Sequence, residues 1–219
     1  MEVWMAASSD CVGTGAFEYR RAFLHYALGD SYLAEELLRG IVEDDLPYFQ
    51  HEAEIAVAMI HFNRAIQQPV VVDAEVQKIH DVLVDFYRAN PTSTPAIEQI
   101  IIQKLFLGEY DKVYKFAKLA LKLDPLSWAA HRGLAISGAR HGRSSDAGSH
   151  IRPAIETRNE RFGDREFIFA AAFCYLDTGS SDVAEQALRR LYVADPSVAQ
   201  DPRYVNIAKA ILSANSPEE

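Results

Sequence analysis

The stretch LGEYDKVYKFAKLALKLDP, residues 107–125, decides the fold. Gly108 marks the end of one helical segment, and Val113, Ala117 and Ala120 then recur at the three- and four-residue spacing of an amphipathic helix. Asp124-Pro125 ends this second segment, because a proline disfavours helical backbone at the residue before it. The stretch therefore predicts the turn and the second helix of a helical hairpin.

The same pattern recurs along the chain at a nearly constant interval. Three pairs of positions are 34 residues apart, namely Gly108 and Gly142, Val113 and Ala147, and Ala120 and Ala154. The next interval is 37 residues and leads to Gly179, Ala184 and Leu191, which places a three-residue insertion near residues 162–164. Helix-breaking residues between the apolar segments predict roughly eleven helices and no sheet. Since one hairpin buries only part of its apolar surface, such hairpins are expected to stack.

These residues resemble the tetratricopeptide repeat (TPR). Residues 107–125 carry the pattern best, units at about 128–161 and 165–198 repeat it, and units at about 15–48 and 49–91 match it more weakly. The resemblance implies an all-α fold, an α-α superhelix forming a right-handed solenoid of about five hairpins. A C-terminal helix at about 202–213 would cap it. The predicted organisation is a flexible N-terminal arm over 1–14, a single superhelical domain over 15–213 and a disordered tail over 214–219.

Composition and charge exclude several classes of protein. Of the 219 residues, 49% are hydrophobic and 24% charged, which is ordinary for a folded domain. A formal net charge of −9 argues against general nucleic-acid binding, and no apolar run is long enough for membrane insertion. The start of the chain lacks the pattern of a secretory signal, and Cys11 and Cys174 are too few and too far apart for a disulfide framework. The sequence therefore predicts a cytoplasmic protein.

No pattern in the sequence predicts catalysis or a bound cofactor. The seven histidines show neither HExxH spacing nor neighbouring cysteine ligands, so we expect no metal site. Gly13-Thr14-Gly15 lacks the lysine and the preceding strand of a phosphate-binding loop. Cys174 has no flanking base and is expected to be a packed thiol. We therefore expect a protein that is not an enzyme and has no cofactor.

The resemblance also implies where a partner would bind, because in TPR proteins the first helix of each hairpin lines a concave groove. The residues at these positions are mostly apolar or aromatic: Tyr19, Phe23, Tyr26, Met59, Phe62, Ile102, Leu105, Phe106, Arg132, Ile136, Arg140, Phe169 and Phe173. A stripe of this kind can instead pack against its neighbouring helix, so each position has two interpretations, groove and core. TPR proteins that clamp a C-terminal carboxylate use Lys and Asn here, and this sequence does not.

A second candidate surface is basic. Residues 104–152 contain nine Lys and Arg against four Asp and Glu, in a chain that is otherwise acidic. The predicted basic patch comprises Lys112, Lys115, Lys118, Lys122, Arg143 and Arg152. A solvated helix face explains the same residues, and an interaction patch for an acidic partner or for self-association is the alternative.

Together these observations predict a non-catalytic protein–protein interaction module. The partner would be a peptide or helix of another protein held in the apolar concave groove, in an adaptor or chaperone-like role, with Arg132 and Arg140 positioning its acidic or carbonyl groups. The alternative is a structural scaffold subunit that acts by self-association or by permanent incorporation into a multiprotein complex.

Overall fold

The computed structural model describes residues 15–44, 49–68, 73–158 and 164–215. The predicted N-terminal arm over 1–14 lies outside these residues, as do Cys11 and the final residues 216–219 of the predicted tail. The described part of the chain contains eleven α-helices, one 3₁₀-helix and no strand. The predicted all-α class is therefore confirmed.

The helices follow one another in pairs that match the predicted hairpins. Their bounds are α1 Gly15–Ala27, α2 Ser31–Glu43, α3 Gln50–Ile66, α4 Asp73–Ala89, α5 Thr94–Phe106, α6 Tyr110–Leu123, α7 Trp128–Arg140, α8 Ser144–Arg158, α9 Arg165–Asp177, α10 Ser181–Ala194 and α11 Pro202–Asn215, with the 3₁₀-helix Pro196–Gln200 before α11. The last helix starts where the sequence predicts and continues through Asn215. Ala214 and Asn215, which the sequence assigns to the tail, are therefore helical.

The hairpin turns depend on glycine, as the sequence predicts. Four turns contain a glycine with positive φ, namely Gly29, Gly108, Gly142 and Gly179. This left-handed backbone is strained for residues with a Cβ atom, so glycine ends the first helix and redirects the chain. Five residues after each glycine lies a fully buried small or β-branched residue of the second helix: Ala34, Val113, Ala147 and Ala184.

Side chains at the helix ends satisfy backbone amides that no helical carbonyl reaches. The Asp30 carboxylate accepts a hydrogen bond from the Leu33 amide at 3.1 Å, and the Ser127 hydroxyl accepts one from the Ala130 amide at 3.2 Å. Asp124 and Asp195 have extended backbone and precede prolines, which ends α6 and α10 where the sequence predicts. Local sequence therefore sets the helix bounds.

The chain divides into two compact units, residues 1–99 and 100–219, and the division falls within α5. The single superhelical domain that the sequence predicts over 15–213 stays a prediction. In the first unit, α1, α2 and α3 enclose a core of small and branched residues that includes Ala34, Leu38 and Ile60. The second unit has two adjoining clusters, one centred on α7, α8 and α9 and the other on α9, α10 and α11.

Two glycines of α7 lie close to neighbouring helices of the second unit. A Cβ atom built on Gly138 would lie 2.8 Å from the Cβ atom of Ala147 in α8, and one on Gly133 would lie 2.9 Å from Cγ2 of Ile101 in α5. Ile101 of α5 and Ala147 of α8 therefore lie directly against α7. The contacts between α7 and α9 complete a row of first helices, α5, α7 and α9, in this unit.

Candidate functional site

In the first unit, the predicted groove residues form an aromatic surface on α1. The ring of Tyr19 lies 5.1 Å from that of Phe23 and is stacked at 5.0 Å on that of Phe49, measured between centroids. Burial and the nearby Glu52 carboxylate raise the pKa of the Tyr19 phenol. Phe23 and Phe49 are both exposed at their outer edges. Aromatic rings that offer an apolar face in this way are common at binding surfaces.

The other predicted residues of the first unit differ in their positions. The Tyr26 hydroxyl accepts a hydrogen bond from Nδ2 of Asn63 at 2.6 Å, which places α1 beside α3. Met59 is half-buried on α3. Phe62 is only 2% exposed and belongs to the core. Tyr19, Phe23 and Tyr26 therefore remain as candidates on α1, whereas Phe62 takes the core interpretation.

In the second unit, two phenylalanines on the row of helices α5, α7 and α9 are exposed to solvent. Phe106 at the end of α5 is 46% exposed and Phe173 on α9 is 39% exposed. Ile102 and Leu105 are half-buried, and Leu105 packs against the core of α7 to α9. Ile136 and Phe169 are 2% and 4% exposed, so they are core residues and leave the set of groove candidates. The groove interpretation thus applies mainly to Phe106 and Phe173.

The two groove arginines are engaged inside the chain. The Arg132 guanidinium forms an ion pair with Asp164, the residue that caps α9, and lies over the Trp128 ring with 5.7 Å to the centroid. Arg140 pairs with Glu166 at 2.8 Å and lies 5.3 Å from the Tyr110 ring centroid. Both arginines therefore tie α7 to the start of α9, and a partner's carboxylate would have to compete with these bonds.

The same charged network extends from α9 to α11. Arg203 of α11 pairs with Glu166 at 2.6 Å and with Asp201 at 2.8 Å, and Arg165 pairs with Asp201 at 2.9 Å. Hydrogen bonding from Arg203, partly opposed by burial, lowers the pKa of the Asp201 carboxyl. This network of ion pairs fixes the last helix, α11, against α9. The network was not visible in the sequence, because the pairs that join its two ends, Arg165 with Asp201 and Arg203 with Glu166, are 36 and 37 residues apart along the chain.

Acidic neighbours interrupt the predicted basic patch. Lys112 pairs with Glu109 at 2.7 Å and Arg152 pairs with Glu156 at 2.6 Å. The Lys118 ammonium and the Arg143 guanidinium lie 4.4 Å and 4.8 Å from the Tyr114 ring centroid. Lys115 and Lys122 are both exposed on α6. This arrangement fits a solvated helix face with local charge pairs.

A deep groove in the first unit was missed by sequence reasoning. Its cavity measures about 880 Å³ and is lined by α2, α3 and α4, and α1 contributes no residue to it. The apolar lining includes Val42, Ile55, Ala58, Ile79, Val82, Leu83 and Phe86. We call this the α2–α4 groove. The available sequence signal was the weak repeat match of residues 49–91 together with the wide apolar arc of α4.

A cluster of charged side chains around one carboxylate, that of Glu35, borders the α2–α4 groove. Glu35 accepts hydrogen bonds from Arg39 at 2.8 Å and from Arg64, and contacts Nε2 of His61 at 2.7 Å. Burial raises the pKa of Glu35, but the bonds from His61, Arg39 and Arg64 outweigh this effect and lower it to about 2. The carboxylate thus stays ionised and holds the two arginines at the wall between α2 and α3.

The described residues offer little to a metal or to a nucleophilic reaction. Within them, no group of three or more His, Cys, Asp and Glu side chains is placed to hold a metal ion. Cys174 is buried in the core of α7 to α9, and burial raises its pKa to about 11. It is the packed thiol that the sequence predicts. Among the helices in the described ranges, none has the length and apolar composition needed to cross a membrane.

Comparison with known proteins identifies the fold. No protein-family model matches the chain, and no curated protein matches its sequence. Solved structures do match it. TTC0263, a thermophilic TPR protein of Thermus thermophilus, is 17% identical with a TM-score of 0.58, over 91% of this chain and 100% of that one. A TPR protein of Parabacteroides merdae is 12% identical with a TM-score of 0.53, over 93% of this chain and 80% of that one.

A third solved structure, of MamA protein, is 13% identical with a TM-score of 0.52, over 86% of this chain and 95% of that one. The protein therefore belongs to the class of all-α helical-repeat proteins. Its particular fold is TPR-like, as the resemblance of residues 107–125 and their repeats implied. Since identities this low establish only the fold, function has to be argued from the surfaces of this chain.

Proposed function

We propose that this chain is a non-catalytic protein–protein interaction module, and that its second unit binds a segment of a partner protein across α5, α7 and α9. The observation that supports this most directly is the exposure of Phe106 and Phe173 on helices that flank α7. Large exposed aromatic side chains cost solvation energy, and they are enriched among residues that dominate binding.

The chemistry of this surface favours an apolar partner segment. Arg140, which lies on the helix between the two phenylalanines, is half-exposed and paired with Glu166. A partner that buries the two rings would gain about 25 cal/mol for each Å² of apolar surface removed from water, before ordering costs. Adaptor and chaperone-like roles both use this mode of binding. We place its action in the cytoplasm, where a buried free thiol such as that of Cys174 remains reduced.

The test is a comparison of two double variants in a pull-down from extract of the native cells. Phe106→Ser with Phe173→Ser removes the proposed anchors, and we expect a partner's affinity to fall about 10- to 100-fold. Leu123→Ser with Leu126→Ser is the matched control, since both residues are exposed in the same unit but lie outside α5, α7 and α9. Circular dichroism checks that both variants remain helical. A partner retained by the first variant and lost by the control would reject the proposed surface.

A structural scaffold is the second candidate, and exposed apolar residues near the C-terminus favour it. Tyr192 and Val193 on α10 and Leu212 on α11 all present large side chains to solvent. In an array of repeats, such a surface would be expected on a unit that contacts another chain. Sedimentation velocity over a hundredfold range of concentration separates the candidates. A monomer throughout that range would count against self-association.

A further inference from the structure

The α2–α4 groove shares no residue with the surface proposed above. Its floor on α3 runs from Glu54 to Ala65, a distance of about 16 Å at 1.5 Å per helical residue. Val82 in its wall is 62% exposed, so the apolar lining of the groove reaches solvent. The groove is thus long, open and apolar, with the length of about three helical turns.

The groove lies on the opposite side of α3 from the residues that face α1. Successive helical residues are rotated by about 100°, so Ala58, His61 and Ala65 lie on one side of α3 and Asn63 on the other. Asn63 contacts Tyr26 of α1. The groove is therefore separate from the aromatic surface of α1.

Charges at the edges of the groove are ordered along its length. The start of α3 lies beside the end of α4, because the rings of His51 and Phe86 are 5.5 Å apart. The end of α3 lies beside the start of α2, because Nε of Arg64 donates to the Ser31 hydroxyl at 3.2 Å. These two contacts fix which charged residues share an end.

Glu54 lies near the start of α3, and Glu43, the last residue of α2, lies at the same end. Arg64 and Lys78 lie at the other end, near the connection from α3 to α4. Arg64 there shares the Glu35 carboxylate with Arg39, which lies about one helical turn before Glu43 on α2. Among the lining residues that the structure describes, the charges outside this shared pair are therefore acidic at one end, at Glu43 and Glu54, and basic at the other, at Lys78.

We propose that the α2–α4 groove binds an amphipathic α-helix of a partner protein whose N-terminal turn is basic and whose C-terminal turn is acidic. The positive end of that helix's dipole, and its basic side chains, would lie at Glu43 and Glu54. Its negative end and acidic side chains would lie at Arg64 and Lys78. Both effects favour the same orientation, and the apolar stripe of the helix covers Val82 and Phe86.

The probe is a displayed library of 14-residue peptides on one helix-favouring framework. Apolar positions at helical spacing vary among Leu, Ile, Val, Phe and Met, and each terminal turn carries Lys, Glu or Gln. Selection uses the full chain, and fluorescence anisotropy gives the Kd of selected peptides. We expect sequences with a basic first turn and an acidic last turn to be enriched at least about tenfold over the reverse order, which corresponds to about 1.4 kcal/mol.

Two variants assign the binding to the groove. Val82→Glu places a charge on the apolar wall and should raise the Kd at least about tenfold. Glu54→Lys with Lys78→Glu keeps the net charge and should reverse the preferred charge order; neither side chain forms an ion pair in the described ranges. Circular dichroism confirms that both variants are folded, and Phe106→Ser with Phe173→Ser should leave these peptides bound.

Three results would overturn the proposal. The first is a library in which no peptide binds the chain, and the second is a set of bound peptides with no preferred charge order. The third is a Kd that Val82→Glu leaves unchanged. A wild-type dimer that Val82→Glu converts to a monomer in sedimentation velocity would assign the groove to a second copy of the chain instead. The surface at Phe106 and Phe173 is tested with its own variants. A negative result for the α2–α4 groove therefore does not affect the test of that surface.

Discussion

Replacing Gly138 with alanine tests how closely α7 approaches α8. The new Cβ atom would lie 2.8 Å from the Cβ atom and 3.3 Å from the Cα atom of Ala147. One of these neighbours is backbone, so the helices must separate slightly, and overpacking of this kind costs about 1–3 kcal/mol. Alanine regains up to about 1 kcal/mol because glycine is a poor helix former. We expect Gly138→Ala to lower the free energy of unfolding by about 1 kcal/mol.

Gly148→Ala is the matched control on α8 of the same unit. A Cβ atom there meets nothing within 4 Å, so only the helix-propensity term operates, and we expect stabilisation of about 0.5–1 kcal/mol. Since both substitutions share the propensity term, the difference between them isolates the cost of the close contact, about 2 kcal/mol. The sign of the effect should therefore differ between two identical substitutions.

The assay is urea unfolding followed by the fluorescence of Trp128, which lies on α7 and packs against its core. A Trp4→Phe background makes Trp128 the sole tryptophan and so reports on the second unit. Adding Ala147→Gly to Gly138→Ala removes the closer of the two contacts, and we expect a favourable coupling energy of about 1 kcal/mol. Equal stabilisation by Gly138→Ala and Gly148→Ala would refute the argument from close helix approach.

Two further predictions concern titratable groups. The Glu35 pKa of about 2 lies below its ordinary value of 4.5, so its stabilisation is complete above pH 4.5 and is lost as the pH falls towards 2. Hydrogen exchange of the α2 and α3 amides reports the free energy of opening of these helices. Over that pH range this free energy should fall by on the order of 2 kcal/mol in wild type and in the exposed control Glu36→Gln, but by less in Glu35→Gln. Cys174, buried with a pKa of about 11, should react with a disulfide reagent at pH 8 at least about 100-fold more slowly in folded Cys11→Ser protein than in unfolded protein. Equal rates would show that the thiol is accessible.

The hairpins could be predicted because their signals are local. A glycine with positive φ, a buried residue five positions later and an Asp-Pro stop all act within about 17 residues, as in Gly108, Val113 and Asp124-Pro125. Repetition at 34 and 37 residues then indicated which segments are equivalent. The stacking of equivalent hairpins follows from their shared need to bury an apolar face.

The division of the predicted groove into core and surface could not be predicted in the same way. Ile102, Ile136 and Phe173 occupy equivalent positions at the repeat intervals, yet they are half-buried, buried and exposed respectively. Helical spacing identifies the side of a helix, whereas burial depends on the size of residues on the neighbouring helices. The α2–α4 groove was missed for the same reason, since it depends on how α2 and α4 sit across α3 rather than on any one helix.

Ion pairing explains why the two proposed surfaces would recognise partners differently. In the second unit, Arg132 and Arg140 already have carboxylate partners in Asp164 and Glu166, so a bound segment gains little from them without breaking bonds that hold α7 to α9. Binding at Phe106 and Phe173 therefore has to rely on apolar burial, which is weakly selective. At the α2–α4 groove, Glu54 and Lys78 form no ion pair within the described residues, so their charges act on an incoming helix. The groove in the first unit can therefore select a helix by the order of its charges, and we expect this groove to discriminate among apolar partners.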